Sequence, residues 1–234
     1  MKDNASQTNA LDQNTHSTCD MRLWKTTLVI GRLGVALLFF SQLFWKLPPH
    51  FGCEEGPFVF SSLGADGAIK RSAGLCDWIG IESIFSHRER SFFVIDFNND
   101  GTPDFELHLK PLVHANGWLI VNVVIPHFRF FGWLIFLAEA FIVVSLALGI
   151  FARLGALLSL LLSVQLMLGL AGVSDTATGL YEWEWSYHLM ILLSLMLVGA
   201  PGGRAFGLDS LLRPRLFNVS KNGKFLPRLL LALT

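Results

Sequence analysis

Four apolar stretches of nearly membrane-spanning length constrain this chain more than any other feature. A bilayer's hydrocarbon core is about 30 Å thick and takes roughly 20 mostly apolar residues of helix to cross. Residues 26–47, 128–150, 154–173 and 183–200 come close to that length. Lipid offers no hydrogen bonds, so each stretch must satisfy its backbone internally, and it does so as a helix. Composition agrees, with 52 % of residues apolar and only 15 % charged, against about a quarter charged in soluble domains. The expected fold is an all-α integral membrane protein: a four-transmembrane-helix bundle with a structured extracytoplasmic insertion, part of it β-hairpin, between helices one and two.

The expected layout is a polar tail over 1–25, the first helix over 26–47, an extracytoplasmic segment over 48–127, helices two to four within 128–200, and a basic tail over 201–234. The polar start, rich in Asn, Ser, Thr and Gln, leaves the first helix as an uncleaved anchor. Arg22 and Lys25 precede that helix, Arg153 lies in the turn between helices two and three, and six bases from Arg204 to Arg228 follow helix four. Such residues favour the cytoplasmic side, which predicts a multi-pass membrane protein with both termini cytoplasmic. The outer loops are acidic: 50–127 carries ten acidic residues against five basic ones, and the loop between helices three and four carries Asp175, Glu182 and Glu184 without a base. The overall balance of 18 basic and 18 acidic residues is thus a cancellation across a bilayer. With no basic domain to neutralise phosphates, nucleic acid is not an expected partner.

The outer segment is too long for a simple connector. Its sharpest motif runs from Asp96 through Asn98, Asp100, Gly101 and Thr102 to Asp104, with oxygen-bearing side chains at loop positions one, three, five, seven and nine and Gly at six. That spacing matches the start of a calcium loop, with Asp96, Asn98, Asp100, Thr102 and Asp104 as candidate ligands. Position twelve is Leu107 rather than Glu, and the flanks 92–95 and 105–109 read as hairpin strands. A polar Asn-Asp-Gly turn holding no ion would need the same residues. Cys53 and Cys76 share this segment, and a disulfide between them would contribute roughly 3 kcal/mol. A redox-active pair is the alternative, though the two lack a C-x-x-C spacing. Residues 118–125, apolar up to Pro126, read as an interfacial helix or strand.

Ionisable groups within the spans are costly and so mark candidate sites. Glu139 sits near the middle of helix two, Arg32 lies about two turns inside helix one, Lys46 is at the outer end where it can snorkel, Gln165 is in helix three, and His188 is about one turn inside helix four. Glu139, Gln165 and His188 fall at similar depths, compatible with a polar pocket opening outward. The plainer readings are an interhelical hydrogen bond for Gln165, a cap onto Glu184 for His188, a headgroup contact for Arg32, and an ion pair of Glu139 with Arg32 or Lys46. Trp118, Trp133, Trp183 and Trp185 belong to interfacial belts.

Gly31-Arg32-Leu33-Gly34, Phe44-Trp45-Lys46-Leu47, Ala138-Glu139, Phe151-Ala152-Arg153-Leu154-Gly155, Trp185-Ser186-Tyr187-His188, Gly199-Ala200-Pro201-Gly202-Gly203 and Gly207-Leu208-Asp209 stand in order along the helices. Together they resemble the DoxX/DoxD family of four-helix membrane proteins, over roughly half of the chain. The resemblance implies a bacterial or archaeal inner-membrane bundle associated with quinone-linked redox chemistry, as in the small subunit of thiosulfate:quinone oxidoreductase. It marks Arg32, Lys46, Glu139, Arg153, His188 and Asp209. The acidic insertion departs from a minimal member of the family.

Two functions are compatible with these residues. In one, a quinone binds in the outer half of the membrane, with contacts from Arg32, Lys46 and Gln165. Glu139 and His188 then handle protons, being the side-chain types that hand protons on at enclosed sites. Electrons must come from a partner subunit or a soluble donor. In the other, the chain is a non-catalytic accessory subunit of a larger respiratory or photosynthetic membrane complex, with an outer docking platform stapled by calcium and a disulfide.

Overall fold

The computed structural model describes residues 3–53, 74–85, 93–95, 97–98, 100, 102, 104–107, 109–170, 181–200, 203, 205–221 and 225–234. Its helices are α1 (Asp3–Leu43), α2 (Leu75–Phe85), α3 (Lys110–Leu119), α4 (Phe128–Leu148), α5 (Ala152–Leu170), α6 (Tyr181–Gly199), α7 (Asp209–Ser220) and α8 (Phe225–Leu233). Strands β1 (Phe93–Ile95) and β2 (Phe105–Leu107) pair antiparallel, with Val94 opposite Glu106. Three helical stretches, Asp20–Lys46, Phe128–Leu148 and Ala152–Gly169, are long and apolar enough to cross a membrane, whereas the apolar part of α6, Ser186–Gly199, is shorter. These helices expose Ile30, Leu37, Leu137, Leu161, Leu189 and Leu192. Such a surface is suited to lipid rather than to water.

Both expected tails contain helix. α1 begins at Asp3, so residues 3–25 run into the first apolar helix without a break. Ala, Gln, Leu and Met among them carry little helix penalty, and an existing helix adds residues without a new nucleus. The basic tail over 201–234 contains α7 and α8.

The chain forms two units, one of Met1–Leu38, Ile142–Leu157 and Leu193–Thr234 and the other of Phe39–Phe141 and Leu158–Leu192. In the second unit, α1 tightens into a 3-10 turn over Phe44–Lys46 and stops at Leu47, whose ψ of 133° is extended. A residue before proline disfavours the helical region, and Pro48 and Pro49 follow. Phe51 and Gly52 then take positive φ, 54° and 74°, and reverse the chain. At Gly52 any Cβ would overlap the Trp45 carbonyl and the Gly74 Cα, so this crossing admits only glycine. Leu75 N–H donates to the Phe51 carbonyl at 2.9 Å, and the Cys53–Cys76 disulfide closes the crossing.

The core beneath this crossing comprises Phe51, Cys53, Leu75, Cys76, Ile79, Ile120 and Phe128. Both cysteines are buried, at 8 % and 2 % exposure, which keeps solvent thiols from their sulfurs and fits a structural bond rather than an exchanging one. The apolar run over 118–125 is the end of α3 followed by a π-helical segment over Ile120–Val124, in which Ile125 N–H reaches the Ile120 carbonyl at 2.9 Å.

Candidate functional site

Within the second unit, Lys46 Nζ donates to Glu139 Oε1 at 2.5 Å. The two side chains are only 9 % and 4 % exposed. Lys46 therefore does not snorkel; of the two cations offered by the sequence as partners of Glu139, it is Lys46 that pairs with it. Beyond Pro48-Pro49 the chain continues along α4 toward its N-terminus. Phe51 packs on Gly132, where a Cβ would lie 3.0 Å from the ring, and stacks edge-on with Phe128 and Trp133 at 5.8 Å each. Gly132 and Glu139 are seven residues apart, two turns along one face of α4. One short segment thus sets both the aromatic wedge and the cation.

Glu139 Oε2 is buried and has no hydrogen-bond partner among the described residues. An ammonium has three donors and a carboxylate about four acceptor positions, so the pair retains capacity for a further polar group. Asn116 on α3 in the same unit also buries an amide Nδ2 without a partner among the described residues. Gln165 and His188 are half-buried in this unit, and neither is free of interactions.

Arg32 belongs to the other unit and is 3 % exposed. Its Nη1 lies 3.5 Å from the Ala205 carbonyl, and a Cβ at Gly149 or Gly207 would run into the guanidinium. Arg32 thus meets the segment 205–209 within the chain. Asp209, fully buried, is the centre of this arrangement. Its Oδ1 accepts from Phe151 N–H at 2.7 Å and its Oδ2 from Ala152 N–H at 3.0 Å, capping the N-terminus of α5. Its own N–H donates to the Gly149 carbonyl at 2.8 Å, and Leu208 N–H to the Leu148 carbonyl at 3.1 Å, capping the C-terminus of α4. One residue therefore satisfies orphan groups at both ends of the α4–α5 turn. Burial pushes the Asp209 carboxyl above the usual aspartate range, opposed by these two N–H donors and by Arg32 and Arg153. A lone acid among six bases is the only local signal of this role.

In the turn between β1 and β2, Asp96 lies outside the described residues. Asn98 Nδ2 donates to Asp100 Oδ2 at 2.9 Å, Thr102 N–H donates to Asp100 Oδ1 at 2.8 Å and Thr102 Oγ1 donates to the same oxygen, while Phe97 N–H reaches Asp104 Oδ2 at 2.8 Å. The side chains proposed as calcium ligands thus satisfy one another and the backbone, the pattern of an Asx-type turn. Their types suit calcium, but a cation here must displace these internal bonds. Among the described residues no group of three or more His, Cys, Asp and Glu side chains is placed to hold a metal ion.

No family model, curated protein or solved structure matches the chain significantly.

Proposed function

We propose that the chain is a DoxX/DoxD-like membrane subunit, with α6 as its fourth crossing and both termini cytoplasmic, that binds a quinone at the Lys46–Glu139 pair and acts with an electron-donating partner. The observation that supports this reading is a buried ion pair between the end of the first span and the middle of α4, with one carboxylate oxygen unspent. A purely structural pair gains little from such burial, because desolvation consumes most of the Coulomb attraction. A pair of this kind inside a membrane marks a ligand or proton path by default. A quinone fits the donor set. Lys46 can donate to a ring carbonyl, and the Glu139 carboxylate, once its Oε2 has taken up a proton from water, can hand that proton to a reduced ring oxygen and return to its pair with Lys46. The quinone itself, when bound, takes up two electrons and two protons. His188 and Gln165 line the proton route in this reading, while Arg32 serves the fold.

The basic distribution supports the orientation. The test is titration of a short-chain ubiquinone and of menadione into the purified full chain, followed by tryptophan fluorescence. Saturable quenching that disappears in Glu139→Gln is expected. Unchanged binding in that variant would refute the assignment.

A second reading, an accessory subunit with an outer docking platform, draws on the disulfide-closed core outside the spans and on Phe97, 80 % exposed beside the hairpin turn. Stoichiometric co-purification with a larger complex, without quinone binding, would favour it. Calcium enters as a staple of that platform, with Asn98, Asp100, Thr102 and Asp104 as its holders. Terbium luminescence on the full chain, displaced by calcium and lost in Asp100→Ala, tests that part.

A further inference from the structure

The helical hairpin α7–α8 is pinned at both ends to the turn joining α4 and α5. Asp209, the first residue of α7, caps α5 through Phe151 and Ala152, and Arg153 Nη1 donates to the Ala232 carbonyl near the end of α8 at 3.3 Å. Where α4 and α5 both cross a bilayer, the turn between them lies at one face of it, and the hairpin is held in that plane. α7 and α8 pack on each other along their length.

The composition of the hairpin suits such a place. Leu211, Phe217 and Phe225 are exposed, the last at 79 %, and Phe206 just before α7 is 82 % exposed. Arg215, Lys221 and Arg228 are exposed among them, with Lys221 Nζ 4.9 Å from the Phe217 ring centroid. The one acid of the tail, Asp209, is fully buried in the α4–α5 turn, so the hairpin surface presents cations alone. Exposed aromatic and aliphatic groups interleaved with bases are what a helix needs to lie in an anionic headgroup layer.

We propose that α7–α8 is a membrane-surface clamp that docks onto anionic phospholipid headgroups beside the α4–α5 turn. This rests on the reading of α4 and α5 as membrane spans and adds a lipid preference to it. Two classes of residue share the docking. Phe206, Leu211, Phe217 and Phe225 enter the acyl boundary, and Arg215, Lys221 and Arg228 engage phosphates.

The experiment uses the full chain with Cys19→Ser, keeping the Cys53–Cys76 disulfide, with a single environment-sensitive label at Phe225→Cys or Leu211→Cys. It is embedded in lipid nanodiscs, both faces of which are open to solvent, made of phosphatidylcholine alone or with roughly 30 % phosphatidylglycerol. Acrylamide, a neutral quencher, reads exposure of the label. The quenching constant is expected to be about fivefold or more lower in the anionic discs, since each base near such a surface shifts partitioning about fivefold. Salt at about 1 M should reverse the shielding by screening, and R215Q/K221Q/R228Q should abolish it. Equal shielding in both lipids would overturn the headgroup recognition, as would labels open to quencher in both, the result expected if the face binds another protein. A control label at Leu137→Cys or Leu161→Cys, in the middle of α4 or α5, should be shielded in every disc. Were that control open, the spans themselves would be refuted and the clamp with them.

Discussion

Replacing Lys46 and Glu139 singly and together probes how the pair is held. At the observed 2.5 Å, and an effective dielectric of about 20, the gross attraction is roughly 7 kcal/mol. Withdrawing both groups from water consumes most of it, so the pair as a whole adds little stability. Removing one partner is different, because the other charge then stays in a site where only 9 % of the lysine or 4 % of the glutamate side chain meets solvent. Lys46→Met or Glu139→Leu alone should therefore cost about 3 to 5 kcal/mol. For a chain of this size that is a loss of about 10 °C in Tm. Lys46→Met with Glu139→Leu restores a neutral interior and should lie within about 1 kcal/mol of the native chain, a coupling of about 5 kcal/mol or more. Thermostability of the solubilised chain, followed by size-exclusion chromatography after heating, measures all four proteins. Single losses below about 1 kcal/mol, or simple additivity in the double variant, would refute the picture of a desolvated pair.

Asp209→Ala orphans two backbone N–H groups at the start of α5 and should cost about 3 kcal/mol, read as faster trypsin cleavage within α7 and α8 under native conditions. Cys76→Ser releases a crosslink between residues 23 apart and should cost roughly 3 kcal/mol, seen as a lower Tm that matches that of the reduced native chain. In the turn between β1 and β2, the Thr102 hydroxyl, followed by the Thr102 N–H and the Asn98 amide, holds the Asp100 carboxyl below the usual aspartate value of 3.8. A depressed value means the folded turn favours the carboxylate, so its contribution is present above 3.8 and is lost as pH falls through the lower folded value. Nuclear magnetic resonance titration of the Thr102 amide should show that low midpoint, and Thr102→Val should raise it.

Much of the architecture was legible because hydropathy is a local sum. The apolar runs over 26–47, 128–150 and 154–173 coincide within a few residues with three helices able to span a membrane, and Gly149 near the end of α4 has the positive φ, 65°, that a helix stop with glycine favours. Local reading left partners open where neighbours in space supplied what neighbours in sequence lacked. Lys46, at a helix end and before two prolines, looks like a snorkelling residue. Arg32, two turns inside a span, looks like a headgroup ligand. Each is enclosed by chain that returns from far away.

The distances along the chain give the physical reason. The Lys46–Glu139 bond joins residues 93 apart, the Asp209 caps join residues 57 and 58 apart, and Arg32 meets Ala205 across 173. A residue's type and its window declare that a charge in an apolar helix is costly and must be answered. Which group answers it depends on chain reversals such as Phe51-Gly52 and on close approaches at Gly132, Gly149 and Gly207, and these exist only once the helices have packed. The sequence alone determined the apolar helices and the charges they had to bury; the tertiary structure decided that Lys46 answers Glu139 and that Asp209 closes the α4–α5 turn.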